Sequence, residues 1–301
     1  MKVLASSVIR STHRGDSHGG LYIVDTDNQT YEQVLDWDYE GIRWEGGGGD
    51  RGLRGLIFHN NLLYAAGSNE IFVFNKDFQL IDQYTHPLLD GTHELTIDND
   101  VIYNISNCYD SILAFDIKSR EWIWGVQHIK HRMPQCFDIR GTNLQRADTL
   151  HLDSISVKNG WLYYAGSTTE HLYGIHPVTN ITMEPTLLYH KNTHNAQFWK
   201  DGIVFNRSLE SDTCYQVGNE LIQHWPTPLC DRSLLTNAGL TADHARAEYT
   251  RGMVLGENSI CVGSSPACVH EFVLGRKEPI STTRLTYDIR NSICGMTRYP
   301  W

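Results

Sequence analysis

Three histidines recur along the chain, each just ahead of a short apolar segment of the same kind. They are His93, His151 and His194. Neutral imidazole is the commonest protein ligand of zinc, iron and similar ions, and three protein ligands leave a coordination position free for water or substrate. If the fold brings these segments together, the residues predict a divalent metal ion (zinc, iron, manganese or calcium) at a catalytic site.

A carboxylate or an amide follows each of these histidines within two residues. These groups are Glu94, Asp153 and Asn195. Carboxylates beside a metal ion can coordinate it, orient its other ligands or transfer protons. We predict Glu94 and Asp153 as catalytic residues and Asn195 as a substrate-binding residue. Strict alternation aligns Asp153 and Asn195, rather than their neighbouring histidines, with His93, and a one-residue shift turns a side chain to the other face of its strand.

Arginine takes the place of histidine ahead of three further segments. The residues are Arg54, Arg251 and Arg290. A guanidinium group presents a planar, permanently charged fork that suits a carboxylate or a phosphate. The alternative is that these arginines pair with Asp153 or Glu94 and that the histidines only bind water and backbone groups in a polar channel. Three consecutive histidines facing three arginines favour the functional interpretation, with a small anionic molecule as substrate.

Internal repeats indicate the elements that would position these residues. Six short segments rich in β-branched and aromatic residues share one pattern: VLASSVI (3–9), LLYAAG (62–67), VIYNIS (101–106), WLYYAG (161–166), IVFNRS (203–208) and SICVGS (259–264). A similar strand precedes and two follow most of them, with Asn, Asp and Gly between. Four short strands per repeat are typical of the blades of a β-propeller. The alternative is a β-sandwich followed by a second β domain.

The first repeat has no preceding strand of its own. RNSICGM (290–296) has the pattern of the missing one. We therefore predict an all-β, six-bladed β-propeller whose ring is closed by the C-terminal strand joining the N-terminal blade, which removes an exposed sheet edge. The prediction is a single domain over residues 1–301.

Alternating long and short spacings between the repeats indicate three inserted loops, at 38–53, 126–150 and 225–250. All three connect the outermost strand of one blade to the innermost strand of the next. We expect them on the face where the innermost strands begin, around the predicted site. Long loops in compact domains are often functional.

Composition narrows the classes of partner and the compartment. The net charge of −10 without a basic run disfavours a nucleic acid or an anionic membrane surface. No apolar stretch approaches the roughly 20 residues of a transmembrane helix, and the first residues turn polar too early for a signal peptide. Seven scattered cysteines without a CxxC pair indicate reduced thiols. We predict a cytoplasmic protein without a membrane partner.

Repeats such as NGWLYYAGSTTEHLYGIHPVT and NDVIYNISNCYDSILAFDIKS resemble the blades of six-bladed propellers of the SMP-30/gluconolactonase and NHL-like group. The resemblance covers nearly the whole chain and is one of repeat style. It implies a site on the central channel. In lactonases of that group Glu, Asp and Asn side chains hold the central divalent ion, and the histidines of this chain depart from that set. A shared fold does not fix a shared reaction.

The leading hypothesis is a metal-dependent propeller enzyme that acts on a small anionic substrate by hydrolysis or elimination at the mouth of the central channel. A non-catalytic binding or scaffold propeller is a second hypothesis, in which the loop-rich rim grips a peptide or protein through exposed Tyr39, Trp44 and Phe137. A third is an iron oxygenase with histidine ligands, because the residues do not separate iron from zinc.

Overall fold

In the computed structural model, which describes residues 1–42, 51–141, 143–241 and 246–301, the strands form six antiparallel sheets arranged as a ring. The first sheet contains β1 (Lys2–Ile9), β2 (Gly19–Asp25) and β3 (Thr30–Asp36). The second contains β4 (Leu56–His59), β5 (Leu62–Ala66), β6 (Glu70–Phe74) and β7 (Leu80–Thr85). The third contains β8 (Thr92–Asp98), β9 (Val101–Ser106), β10 (Ser111–Asp116), β11 (Glu121–Gln127) and the short β12 (Gln135–Cys136).

The other three sheets follow the same four-strand plan. The fourth contains β13 (Leu152–Lys158), β14 (Trp161–Gly166), β15 (His171–Ile175) and β16 (Thr182–Leu187). The fifth contains β17 (Thr193–Trp199), β18 (Gly202–Arg207), β19 (Asp212–Val217) and β20 (Glu220–Pro226). The sixth contains β21 (Arg251–Leu255), β22 (Ser259–Ser264), β23 (Cys268–Val273) and β24 (Ser281–Arg284), and the last strand is β25 (Asn291–Arg298). Two 3₁₀ turns, Asn107–Tyr109 and Arg232–Leu234, are the helical elements of the described residues.

The ring closes as the sequence predicted. Strand β25 pairs antiparallel with β1, so the C-terminal strand is the innermost strand of the N-terminal blade. Leu4 lies opposite Thr297 and Ile9 opposite Asn291 in this pairing. The six-bladed, all-β prediction is confirmed. Because both edges of the seam are paired, neither offers an open row of backbone groups to another chain.

The hydrophobic core is divided among the interfaces between neighbouring blades. One cluster joins the second and third blades through Tyr64, Ile71 and Phe115, and another joins the fifth and sixth through Trp225 and Phe272. Strand residues alternate between the two faces of a sheet, so each blade presents apolar side chains to both neighbours. Packing the blades against one another fixes the radial direction of the innermost strands, which is what aims their first residues at the axis.

A β-bulge interrupts five of the six innermost strands near the axis. The extra residue lies between Thr92 and Leu95 in β8, between Leu152 and Ser154 in β13, between His194 and Gln197 in β17, between Arg251 and Met253 in β21, and between Ile293 and Gly295 in β25. A bulge inserts one unpaired residue and bends its strand. It therefore lets successive residues, rather than alternate ones, face the axis.

Glycines accommodate the close approach of strands at this level. A Cβ atom on Gly295 would lie 2.0 Å from the backbone oxygen of Arg54, and one on Gly55 would lie 2.9 Å from Cα of Glu94. Both distances are shorter than a Cβ contact allows, so the innermost strands of the first three blades pack backbone against backbone here.

The three long connections run from an outermost strand to the next innermost strand: β3 to β4, β11 to β13 and β20 to β21. Strand β12 extends the third sheet within the second of them. Of the loop residues named from the sequence, Trp44 lies outside the described residues. The described part of the chain contains no helix long and apolar enough to cross a membrane. All seven cysteines are free thiols, and the cytoplasmic location stays a prediction.

Candidate metal centre at the propeller axis

All six innermost strands, or the residues just ahead of them, contribute to a small cavity of about 10 Å³ on the propeller axis. Its lining consists of Arg54, His93, Glu94, Asp153, His194, Asn195, Arg251 and Cys294. Seven of these eight residues were predicted from the sequence as metal, catalytic or substrate-binding residues, and Cys294 was not. A volume of this size matches a single water molecule or a bare ion.

The carboxylate of Asp153 lies at the centre of the predicted histidines. Its Oδ1 is 2.9 Å from Nδ1 of His93, and its Oδ2 is 3.0 Å from Nε2 of His194 and 3.6 Å from Nε2 of His151. The side chain of Asp153 is fully buried. Donor atoms of His93, His151 and Asp153 lie within 4.8 Å of one another, so this buried group can hold a metal ion. We call the four residues the axial cluster.

Contacts outside the axial cluster orient two of its histidines. The Nδ1 atom of His151 lies 2.7 Å from the Asp148 carboxylate, which directs Nε2 towards Asp153. The Nδ1 atom of His194 lies 2.8 Å from the Ser208 hydroxyl and 3.2 Å from the backbone oxygen of Asn192. A partner on the outward nitrogen is the usual way in which proteins orient a metal-binding imidazole.

The tautomer of His194 follows from these contacts. The Ser208 hydroxyl donates its only proton to the backbone oxygen of Thr250, 2.5 Å away, so it accepts a hydrogen bond from His194. In the neutral ring Nδ1 is then the protonated nitrogen, and Nε2 carries a lone pair. Neither Nε2 of His194 nor either oxygen of Asp153 has a hydrogen-bond partner of acceptable geometry. A lone pair therefore faces a carboxylate across 3.0 Å.

Arg54 contacts His93 in a different manner. One guanidinium nitrogen, Nη1, lies 2.9 Å from Nε2 and 3.3 Å from Nδ1 of the same ring. A single atom can be this close to both nitrogens only by lying against the face of the imidazole. The contact is thus a cation over the ring rather than a hydrogen bond in its plane. It leaves Nδ1 of His93 available on the side of Asp153.

Burial and charge shift the pKa values of the axial cluster in opposite directions. Burial, reinforced by Arg54, lowers the pKa of His93 well below its usual value, and burial also lowers the pKa of His194. Asp153 raises the pKa of His151 to about 9, with the Asp148 contact as the second cause. Burial would raise the pKa of Asp153, but His194, His93 and His151 in their protonated forms outweigh it and hold that pKa well below normal.

Glu94 also lines the cavity, and a hydrogen bond from Asn195 holds its carboxyl group. The amide nitrogen of Asn195 donates to Oε1 of Glu94 at 2.6 Å, and its oxygen accepts from the backbone of Gly252 and from Asn206. Burial raises the pKa of Glu94 to about 8 despite the hydrogen bond from Asn195. Asn195 is committed to these contacts and therefore positions Glu94 rather than presenting a free amide to a ligand.

The predicted arginines do not all converge. Arg251 lies beside the axial cluster, where Nη2 donates to the Tyr249 hydroxyl at 3.1 Å and Nη1 is 3.5 Å from Nδ1 of His93. Its Nε is buried without a hydrogen-bond partner, and no carboxylate of the described chain forms an ion pair with it. Arg290 instead pairs with Asp288 at 2.7 Å and lies outside the cavity. Cys294, within the bulge of β25, occupies the axial position assigned to Arg290.

Three residues beside the axial cluster were not predicted from the sequence. Asp148 and Ser208 hold the outward nitrogens of two histidines, and Cys294 lines the cavity. The motif ICGM (293–296) resembles TRGM (250–253) and RGLI (54–57), with glycine after the axial residue. Aligning the repeats on that glycine would have placed Cys294 at the position equivalent to Arg251 and Arg54. Asp148 and Ser208 lie on other strands or loops and leave no comparable signal.

A second, larger cavity lies on the opposite side of Glu94. It has a volume of about 620 Å³, and Glu94 lines both spaces. Its walls come from the later residues of the innermost strands, and it reaches Lys158, Lys200 and Arg298 at or just beyond the ends of β13, β17 and β25. We call this cavity the funnel. It opens on the face opposite the three long loops.

Comparisons with known proteins support the propeller architecture and identify no family. No family model and no curated protein matches the chain. A protein of unknown function from Bacteroides caccae is similar at a TM-score of 0.58 and 10% identity, over 98% of this chain and 97% of that one. The computationally designed Ika8 protein is similar at 0.50 and 9% identity, over 98% and 91%. The RRP9 WD40 repeats are similar at 0.52 and 9% identity, over 79% and 65%. These likenesses show the propeller fold and leave membership of the SMP-30/gluconolactonase and NHL-like group a prediction.

Proposed function

We propose that the protein is a metal-dependent enzyme that acts on a small anionic molecule by hydrolysis or elimination at the axial cluster. One observation carries the proposal. The Nε2 lone pair of His194 faces the buried carboxylate of Asp153 at 3.0 Å, in a geometry outside that of a normal hydrogen bond. Two buried electron-rich groups at that distance repel each other unless a cation lies between them. A metal ion bound by both groups removes the repulsion.

The donor set indicates which ions suit the site. Imidazole nitrogens from His93, His151 and His194 surround a single carboxylate, Asp153. Zinc, iron and manganese accept such mixed nitrogen and oxygen donors, whereas calcium takes six to eight oxygens. We therefore favour the first three over calcium. When bound, such an ion polarises a carbonyl group or activates a water molecule.

The residues around the axial cluster supply the other requirements of the reaction. Glu94 lies between the cavity and the funnel, where a carboxyl group can exchange protons with a substrate that arrives from the funnel. Arg251 is 7% exposed and has an unused Nε donor, so an anionic group would satisfy a buried charge. Asp153, predicted as a proton-transferring residue, acts in this proposal as a metal ligand.

Metal analysis of the purified protein tests the proposal. We expect about one equivalent of zinc, iron or manganese, or stoichiometric uptake of added Co²⁺ with a visible absorption band typical of nitrogen ligands. Asp153→Asn and His194→Gln should each abolish uptake while circular dichroism shows the fold intact. His13→Gln, at an exposed histidine in the β1–β2 turn, is the matched control and should bind metal normally. Failure of folded wild-type protein to take up any of these ions would refute the proposal.

The two alternative functions predicted from the sequence, an oxygenase and a scaffold, can each be tested. An oxygenase requires iron, so zinc or manganese as the native ion argues against it. The scaffold hypothesis expects exposed aromatic anchors on the loop-rich rim. Tyr39 packs against Trp37 and Phe72, and Phe137 lies against Gly125, so these two rings are partly buried rather than displayed.

A further inference from the structure

His151 reaches the axial cluster from an uncommon backbone conformation. Its φ angle is +50°, in the left-handed region that residues with a Cβ atom rarely adopt. Such a conformation persists only where the surrounding structure imposes it. It also decides the direction of the side chain, because a residue that relaxes to negative φ points its Cβ atom elsewhere. The groups that hold His151 at this angle therefore determine whether its imidazole faces Asp153.

The backbone just ahead of His151 is bound by one buried carboxylate. Oδ2 of Asp110 accepts from the backbone nitrogen of Thr149 at 2.5 Å, from its hydroxyl at 2.8 Å and from the backbone nitrogen of Leu150 at 2.8 Å. Asp110 follows the 3₁₀ turn of the third blade and is fully buried. Consecutive N–H groups that converge in this way form a concave site for an anion, and here a side chain of the protein fills it. We call residues 149–151 the bridging segment.

The fourth blade holds the other side of the bridging segment. The Thr168 hydroxyl donates to the backbone oxygen of Thr149 at 2.6 Å, and the backbone nitrogen of Ser167 donates to the oxygen of His151 at 3.0 Å. The segment is therefore fixed between two blades, with its N–H groups on one and its carbonyl groups on the other. Loss of the Asp110 carboxylate would remove the acceptor on one side only, and the segment could then rotate towards an ordinary backbone conformation.

The turn that contains Asp110 does not itself require a carboxylate. Ser211 occupies the equivalent position in the fifth blade, just ahead of the third strand and at a φ of +58°. Its backbone oxygen accepts from the nitrogen of Thr227 at 2.8 Å. The backbone oxygen of Asp110 accepts from the nitrogen of His128 at the same distance. A serine thus forms the same turn, and the Asp110 carboxylate serves the bridging segment rather than its own turn.

We infer that Asp110 is a positioning residue of the axial cluster, which holds the bridging segment in the conformation that aims Nε2 of His151 at Asp153. The inference rests on the proposed function to the extent that His151 is a metal ligand. It adds to the site a residue that lies outside the axial cavity. Asp148 immediately precedes the bridging segment, so its contact with Nδ1 of His151 depends on the same carboxylate.

Co²⁺ titration and visible absorption of purified variants test the inference. Asp110→Gly removes the carboxylate, and glycine tolerates the φ of +44° at this position. It should weaken Co²⁺ binding about 10- to 100-fold and shift the visible band, because one nitrogen ligand leaves the ion. Asp110→Asn keeps an acceptor oxygen on a residue that tolerates the left-handed region, so it should recover most of the lost affinity.

Gln216→Ala is the matched control. This buried side chain also binds backbone groups of a neighbouring blade, at Leu187 and Tyr189 by the outermost strand of the fourth blade. The variant should lower stability in urea and leave Co²⁺ binding and the visible band unchanged. A loss of Co²⁺ affinity in Gln216→Ala equal to that in Asp110→Gly would overturn the inference, since general destabilisation would then explain both.

A double-mutant cycle separates positioning from any other effect of Asp110. In a His151→Ala background, Asp110→Gly should change Co²⁺ affinity by less than about twofold, since the residue through which it acts is gone. Additive losses, or wild-type affinity in Asp110→Gly alone, would overturn the inference. Absence of Co²⁺ binding by the wild type would instead refute the proposed function. Crystal structures of the metal-free wild type and Asp110→Gly then decide the positioning role: His151 should leave positive φ and lose contact with Asp153, and an unmoved His151 would overturn it.

Discussion

Nε2 of His194 and Oδ2 of Asp153 lie 3.0 Å apart, and the contact that determines their relationship is on the far side of the imidazole ring. Ser208 and the Asn192 backbone both accept from Nδ1, so the inward nitrogen lacks a proton in the neutral ring. A histidine and an aspartate at this distance usually form a hydrogen bond. Here the surrounding acceptors disfavour that hydrogen bond, and in the function proposed above a cation shared by the two groups would take its place.

Asp148 should control metal affinity although it lies outside the cavity. Its carboxylate accepts from Nδ1 of His151 at 2.7 Å and directs Nε2 inward, so Asp148→Asn should weaken Co²⁺ binding by about 10- to 100-fold. Competition titration with a chelator measures the change. Asp138→Asn, at an exposed carboxylate paired with Arg140, is the control. Equal affinities in the two variants would show that His151 is not a ligand.

The contact between β25 and the backbone just ahead of β4 should tolerate no added atom. A Cβ on Gly295 would lie 2.0 Å from the backbone oxygen of Arg54, so Gly295→Ala should lower the free energy of unfolding by about 2 kcal/mol or more. Urea denaturation measures it. Gly239→Ala adds the same methyl group where nothing lies within 4 Å and should change stability by less than about 0.5 kcal/mol. A neutral Gly295→Ala would mean that the strands are further apart than described.

A buried histidine in the sixth blade should make stability depend on acid. Burial, with Arg284 as the second cause, lowers the pKa of His270 to about 3, while in the unfolded chain it stays near 6.5. The unfolded state therefore takes up the proton first, so stability is complete above about pH 6.5 and falls as the pH drops towards 3, by up to about 1.4 kcal/mol per pH unit.

His270→Gln removes this titration and keeps an amide that can contact Ser264 and Thr282. Between pH 7.5 and pH 5 the wild type should lose about 2 kcal/mol more stability than the variant, as measured by denaturation at each pH. His13→Gln should retain the wild-type slope, since that histidine is exposed. Parallel pH profiles for the wild type and His270→Gln would contradict the assignment.

Removing β25 should open the ring rather than shorten it. The strand covers the edge of β1 along its length, from Val3 to Ile9. A chain that ends at residue 290 should expose that edge and lose cooperative unfolding, with aggregation visible by light scattering. A chain that ends at Arg298 keeps the whole strand and serves as the control. A monomeric, cooperatively folded product of the shorter chain would show that closure is dispensable.

The sequence predicted the architecture well because its signals are periodic. Each blade repeats the same succession of apolar strands and turns, and the unpaired first repeat pointed to RNSICGM as its partner. Asp153, His93 and His194 were also found, since they occur at matching places in three successive repeats. The convergence of the two histidines on Asp153 was not predicted, because it depends on the β-bulges of β8, β13 and β17, which no residue type announces.

The same bulges explain where the predictions were wrong. Alignment of the repeats favoured Arg290, just ahead of the strand, as an axial residue, whereas the structure places Cys294 there and leaves Arg290 with Asp288. The funnel was not predicted because its width depends on the spacing of the six innermost strands around the axis, which no residue type announces.

The axial cavity takes side chains from every sheet of the ring, from Arg54 ahead of β4 to Cys294 in β25. No fragment of the propeller contains the complete set of groups, so they can meet only after the last blade has docked. An ion or small molecule bound at the axis would then contact residues of different blades at once. It would therefore oppose the radial separation of the blades. Occupancy would slow the opening of the seam even though no ligand contacts the outer strands.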